Sequence, residues 1–178
     1  MIVFLDFEAS SLGKDSYPIE VAWIFEDGRS RSMLIRPAEA WTDWSFEAER
    51  VHGLARRQLE AEGVPVDQVA DEMIKALGGQ ELHASAPSWD GKWLSVLLRA
   101  AGHPRHLLLL KKSDVAFQLK ARQILGPQFS DQVIFQLVEG VVLRTEPRAP
   151  VHRALADATL ELERWRLVEE AARALRAH

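Results

Sequence analysis

Apolar and polar positions along this chain follow two periods, and the changes between them mark its elements. Residues 1–7 and 19–25 are short runs rich in aliphatic, β-branched and aromatic side chains, as in buried strands, and Asp27-Gly28 turns the second run into a third strand at 32–35. Helical spacing then takes over at 66–77, where Gly78-Gly79 ends it. A strand at 81–84 precedes a helix at 90–101, and the apolar run 107–110 has strand length. Helices are predicted over 113–125, 132–143 and 153–175, and a loop packed on the body over 38–58, where Trp41, Trp44 and Phe46 stand. Three strands followed by β-α units predict an α/β fold: a mixed five-stranded sheet flanked by helices, with no internal repeat.

Composition narrows the class. At 178 residues, 47% of them hydrophobic, the chain suits a single domain, 1–178, with a sizeable core. Its first residues carry no basic cluster and reach an acid at Asp6, which predicts neither a secretory signal nor a membrane span, and hence a cytoplasmic protein. The absence of cysteine excludes disulfides and thiolate metal sites, so any metal must be held by oxygen or imidazole. A net charge of -4 argues against coating of long nucleic acid through a broad basic face. From Lys92 to Arg122, however, seven cations (Lys92, Arg99, Arg105, Lys111, Lys112, Lys120, Arg122) stand against one acid, Asp114. That segment is either a phosphate-facing surface or an ordinary solvated one.

Candidate chemistry lies where acids interrupt apolar patterns. Strand side chains alternate at about 3.3 Å per residue, so Asp6 and Glu8 share a face with Ile2 and Phe4, roughly 6.6 Å apart along the strand, while Phe7 points into the core behind them. Two carboxylates crowded there are what hard divalent cations bind, although Asp-x-Glu also occurs where a strand end emerges into solvent. Asp90 continues the stripe Trp93, Leu94, Leu97 and Ala101, facing the core unless it only caps a helix start. Asp157 shares a side with Leu160, Val168, Ala171 and Leu175, a stripe broken by Arg164; a buried, satisfied acid would look the same. His152, just after Pro150-Val151, falls at the end of a loop, and five residues turn a helix by about 500°, so it meets any site from a different side than Asp157. An imidazole there is either a surface group or one that moves a proton near neutral pH.

Taken together, these segments resemble a known family. Asp6-Phe7-Glu8, Ser88-Trp89-Asp90-Gly91-Lys92-Trp93-Leu94 and His152-Arg153-Ala154-Leu155-Ala156-Asp157-Ala158 are similar to the three motifs of the DEDDh 3'-5' exonucleases, and Val51-His52-Gly53-Leu54 resembles that family's short His/Asn-Gly-Ile element. The resemblance spans nearly the whole chain and implies a ribonuclease H-like fold. It further implies that Asp6 bridges two Mg²⁺ or Mn²⁺ ions, that Glu8 and Asp157 help hold the one that activates water, and that Asp90 supports the other. His152 would then take the proton from the attacking water. The implied activity is removal of nucleoside 5'-monophosphates from the 3' end of single-stranded or short DNA or RNA. Two ions about 3.5 to 4 Å apart stabilise the entering and leaving oxygens of such a displacement.

Substrate contacts implied by the resemblance are Ala9, Ser10, Ser11, Leu12 and His52. Trp89 and Trp93, one turn apart, form either a stacking face for a base or part of the core, and Lys92, Arg56, Arg57 and Arg153 are candidate phosphate contacts. The chain departs from the family twice. Ala9-Ser10-Ser11-Leu12 replaces the usual Thr-Thr/Ser-Gly, and Ser85-Ala86 stands where His-Asn is common. Those departures alone support a second reading, a catalytically degenerate member that binds nucleic-acid ends or a protein partner. A ribonuclease H-like endonuclease is a third, against which His152 speaks. Family habit and six tryptophans make a homodimer an expectation, and no membrane partner is expected.

Overall fold

The computed structural model describes residues 1–149 and 151–177. Five strands, β1 (Ile2–Ala9), β2 (Pro18–Phe25), β3 (Ser30–Leu34), β4 (Glu81–Ala84) and β5 (Leu110–Lys112), form one sheet in the order β3-β2-β1-β4-β5. β1, β2 and β3 form an antiparallel meander, while β4 and β5 run parallel to β1. The predicted mixed five-stranded sheet is what the chain forms. The described helices are α1 (Phe46–His52), α2 (Arg56–Glu62), α3 (Val66–Leu77), α4 (Pro87–Ala100), α5 (Ser113–Leu125), α6 (Asp131–Arg144) and α7 (Ala154–Arg176).

Alternation along β1 divides the core into two layers. Val3, Leu5, Phe7 and Ala9 pack with Trp23 and Met33 against Met73, Leu77, Leu94 and Leu97 of α3 and α4. Phe4 and Ile24 face the other way, onto Phe117, Val138, Leu162 and Val168 of α5, α6 and α7. Burying a side chain such as Phe4 or Phe117 contributes about 1.5–3 kcal/mol. This second layer therefore holds α7 firmly over the face that carries Asp6 and Glu8.

Three element predictions need correction. The 38–58 segment contains α1 and the start of α2: Ser45 caps α1 by accepting from the Ala48 N–H at 3.2 Å, and Gly53 ends it at φ 72°, a conformation that favours glycine. The fifth strand is Leu110–Lys112, not 107–110; Leu107 and Leu109 are exposed, and the strand forms where backbone pairing with β4 is available. The buried stripe of α7 runs through Ala154, Ala158, Glu161, Trp165, Val168 and Ala172, and Arg164 belongs inside it because Glu161 accepts from its Nη1 at 2.8 Å.

Candidate metal centre

The site forms where β1 outruns its parallel neighbour. Pairing with β4 ends at Phe4 and His83, so Asp6 and Glu8 lie beyond it, at the carboxyl end of β1. Open α/β sheets place ligand crevices at such strand ends. In the gap, Asp90 Oδ1 accepts the Phe7 N–H at 3.2 Å, so the first turn of α4 replaces the missing strand partner. On the other face α7 brings Asp157 over β1. Oxygens of Asp6, Glu8 and Asp157 all lie within 4.8 Å of one another, although the three residues come from two elements 149 positions apart in sequence. Asp90 is buried, and its Oδ2 has no hydrogen-bond partner.

Burial and mutual repulsion dominate the electrostatics. Burial, followed by the charges of Asp90, Glu8 and Asp157, pushes the Asp6 carboxyl well above the usual range. Burial and Asp157 push Glu8 up to about 8, against a smaller opposing effect of Arg153. Asp90 rises to about 7 through burial, even though the Phe7 N–H favours its ionised form. Asp157 is also raised, by burial, with His152 acting in the opposite direction. Four carboxyls resist ionisation, one with an unpartnered buried oxygen, and the cations nearby, Arg153 and Arg164, do not offset burial and mutual repulsion. An all-oxygen donor set of this kind suits hard divalent cations such as Mg²⁺ or Mn²⁺.

A cleft of about 430 Å³ opens beside the acids, lined by Glu8, Ala9, Ser11, Leu12, Ser45, Glu47, Ala48, Val51, His52, Trp93 and His152. His152 is the sole described non-glycine residue at positive φ, 49°, a left-handed conformation that costs about 1–2 kcal/mol. That turn ends the loop and starts α7. His52 is buried; its Nδ1 accepts the Leu54 N–H at 3.0 Å and its Nε2 has no partner. Burial holds its pKa below the ordinary imidazole value, so the ring is neutral with its remaining proton on Nε2.

The remaining expected contacts divide. Ala9, Ser11, Leu12 and His52 line the cleft. Ser10 is turned inward, donating to Asp43 at 2.9 Å and accepting from the Tyr17 N–H, and Ser11 also donates to Asp43, at 2.6 Å. Trp89 lies outside the cleft lining, stacked at 5.7 Å on Trp93, and is 39% exposed. Lys92 braces the 10–16 loop, donating to the Gly13 carbonyl and Ser16 Oγ. Arg56 holds the Tyr17 hydroxyl and the Trp41 carbonyl, Arg57 is exposed, and Arg153 pairs with Glu20. Of the basic segment, Lys111, Lys112, Lys120 and Arg122 pair with Glu81, Asp114, Glu169 and Asp131, which leaves little of it free for phosphates.

Two acids escaped the sequence reading: Glu20, which interrupts the apolar β2, and Glu161, one turn after Asp157 on the buried stripe of α7. Glu161 acts electrostatically on Asp6, Asp90 and Asp157, and Arg164 balances its charge. Each carried the same signal as the others, a charge within an apolar pattern.

The fold and the site together define an α/β protein whose mixed five-stranded sheet and flanking helices match the ribonuclease H-like fold, with a cluster of acids at the carboxyl end of its first strand. Solved structures with this fold include E. coli exonuclease I in a zinc-bound complex with single-stranded DNA, at TM-score 0.68 and 15% identity over 95% of this chain and 40% of that one. The same enzyme with a dA16 oligonucleotide matches at TM-score 0.68 and 15% identity, over 99% and 42%. Exonuclease I from Methylocaldum szegediense matches at TM-score 0.67 and 16% identity, over 95% and 40%. The chain thus spans about two-fifths of the length of these structures. No protein-family model matches the sequence, and no curated protein matches it significantly.

Proposed function

We propose that this protein is a metal-dependent 3'-5' exonuclease, acting as one domain over residues 1–178 on single-stranded ends or short oligonucleotides of DNA or RNA. The observation that carries the reading is the convergence of Asp6, Glu8 and Asp157 within 4.8 Å, with the unpartnered Asp90 oxygen buried nearby and a cleft opening beside them. The single-stranded DNA held by the structural neighbours agrees with it.

In this reading Asp6, Glu8, Asp90 and Asp157 hold two divalent ions, Mg²⁺ or Mn²⁺. The bound ions supply Lewis-acid stabilisation of the entering and leaving oxygens at the scissile phosphorus. Ala9, Ser11, Leu12 and His52 line the space for the terminal nucleotide and orient its phosphodiester toward the acids. His152, at the mouth of the same cleft, takes the proton of the attacking water and is returned to its neutral form by solvent. The products are a nucleoside 5'-monophosphate and a strand shortened by one residue.

The test compares 5'-labelled single-stranded DNA and RNA of equal sequence on a sequencing gel, in Mn²⁺ or EDTA, for wild type and Asp6→Ala. A metal-dependent ladder shortening from the 3' end, absent in the variant, is expected. Intact strands with wild-type protein in Mn²⁺ would overturn the reading.

A further inference from the structure

The helix that carries Asp157 has no cap of its own. Arg153 occupies the cap position of α7, and its side chain makes no hydrogen bond to the free N–H groups of the first turn. The cap comes from the sheet instead. Glu20, the third residue of β2 and 1% exposed, accepts the Ala154 N–H on Oε2 at 3.1 Å. The same carboxylate holds the Arg153 guanidinium in a fork, Nε to Oε2 at 3.0 Å and Nη2 to Oε1 at 2.7 Å, and receives Ser32 Oγ at 3.3 Å. Both oxygens are thereby committed, so Glu20 is no metal ligand, although it is the β2 partner of Glu8 in the ladder.

We propose that Glu20 is a positioning residue for the metal centre: its buried carboxylate docks the start of α7 on the sheet and so sets Asp157 against Asp6 and Glu8, and His152 at the cleft. The inference rests on the proposed metal-dependent activity. Its geometry is direct. Asp157 lies three residues past Ala154, about 4.5 Å along the helix axis, so any slip or tilt of the first turn reaches the ligand oxygen almost undiminished. Metal sites tolerate only about 0.5 Å of ligand displacement. His152 adjoins Arg153 and adopts its left-handed turn next to this anchor, which opposes relaxation to a less strained backbone. An ion pair that is bidentate and also caps a helix end restricts position more than a point contact does.

Two variants of opposite charge separate positioning from simple electrostatics. Glu20→Gln removes a negative charge beside Glu8, whereas Arg153→Gln removes a positive one. If the pair acted only through its charges, the first would weaken Mn²⁺ binding and the second would tighten it. If it positions α7, both weaken binding.

Mn²⁺ titration calorimetry on the nucleic-acid-free full chain reads this directly. Both variants are expected to bind Mn²⁺ about 10-fold or more weakly than wild type. Glu20→Gln should also lower kcat at saturating Mn²⁺ by about 10-fold or more, with KM for a short oligonucleotide changed less than about threefold. Circular dichroism of the metal-free variants checks that the fold persists. Should Glu20→Gln not fold, Arg153→Gln alone carries the sign test. Tighter or unchanged Mn²⁺ binding by Arg153→Gln would overturn the positioning role. Wild-type protein that binds Mn²⁺ but cuts nothing would end the exonuclease reading while leaving the positioning claim to the affinities. Wild-type protein that binds no Mn²⁺ would end both.

Discussion

Asp157 shows how much a single residue depends on its neighbours. It is half-buried at the edge of the α7 stripe, and its carboxyl is held above the ordinary range chiefly by burial. Replacing it with alanine removes a proposed metal ligand and relieves like-charge crowding. Asp157→Ala should lose at least about 10²-fold in turnover, yet melt higher than wild type in EDTA and gain nothing from Mn²⁺, as a thermal-shift assay would show. A lower melting temperature in EDTA would mean that the carboxylate is part of the scaffold. His152→Ala should lower kcat and leave oligonucleotide affinity within a few-fold; a pure affinity loss would make His152 a phosphate contact. Trp89 offers an exposed ring outside the cleft, and if a base stacks there, Trp89→Ala weakens single-strand binding by about 1–3 kcal/mol with kcat little changed. Unchanged affinity would leave it as a partner for Trp93 alone.

Among elements, those with a pronounced period were legible in the sequence. The helices predicted at 66–77 and 113–125 match α3 and α5, because each helix buries one face regardless of what lies opposite. α1 and α2 were missed because each is only seven residues long and their order depends on packing of Leu54, Leu59, Tyr17 and Trp41. α2 ends at Gly63, where an added Cβ would come within 2.4 Å of the Leu59 carbonyl oxygen and 2.5 Å of the Arg36 nitrogen. The chain is tight there because Arg36 N donates to the Val64 carbonyl at 2.9 Å, next to the bridge between Ile35 and Val64. Gly63→Ala should therefore destabilise by about 1–3 kcal/mol, a fall of about 2–12 °C in Tm by calorimetry for a chain of this length. A melting temperature at or above that of wild type would show that the turn can widen.

The whole molecule without metal should respond to pH through its acid cluster. Asp6, Glu8, Asp90 and Asp157 bind protons more tightly folded than unfolded, so their contribution to stability is complete below the unfolded values, about 4, and is lost as pH rises through the folded ones, about 7 for Asp90 and about 8 for Glu8. His52 and His83 act in the opposite sense. Burial lowers both, so their contribution is present above about 6.5 and is lost as pH falls below it. Between pH 6.5 and 8.5 the acids dominate: Tm in EDTA should fall, and the gain on adding Mn²⁺ should grow. A flat profile in EDTA would contradict the crowding. By itself the sequence determined the α/β class, the sheet's strand count, and the acids Asp6, Glu8, Asp90 and Asp157 as misfits in apolar patterns, because burial periodicity is local and a charge within it stands out. Only the tertiary structure decided that three of those acids meet within 4.8 Å, that Lys92 and Arg56 brace loops, and that Glu20 docks α7. Those outcomes depend on which strand ends first and which helix crosses it, and long-range packing sets both.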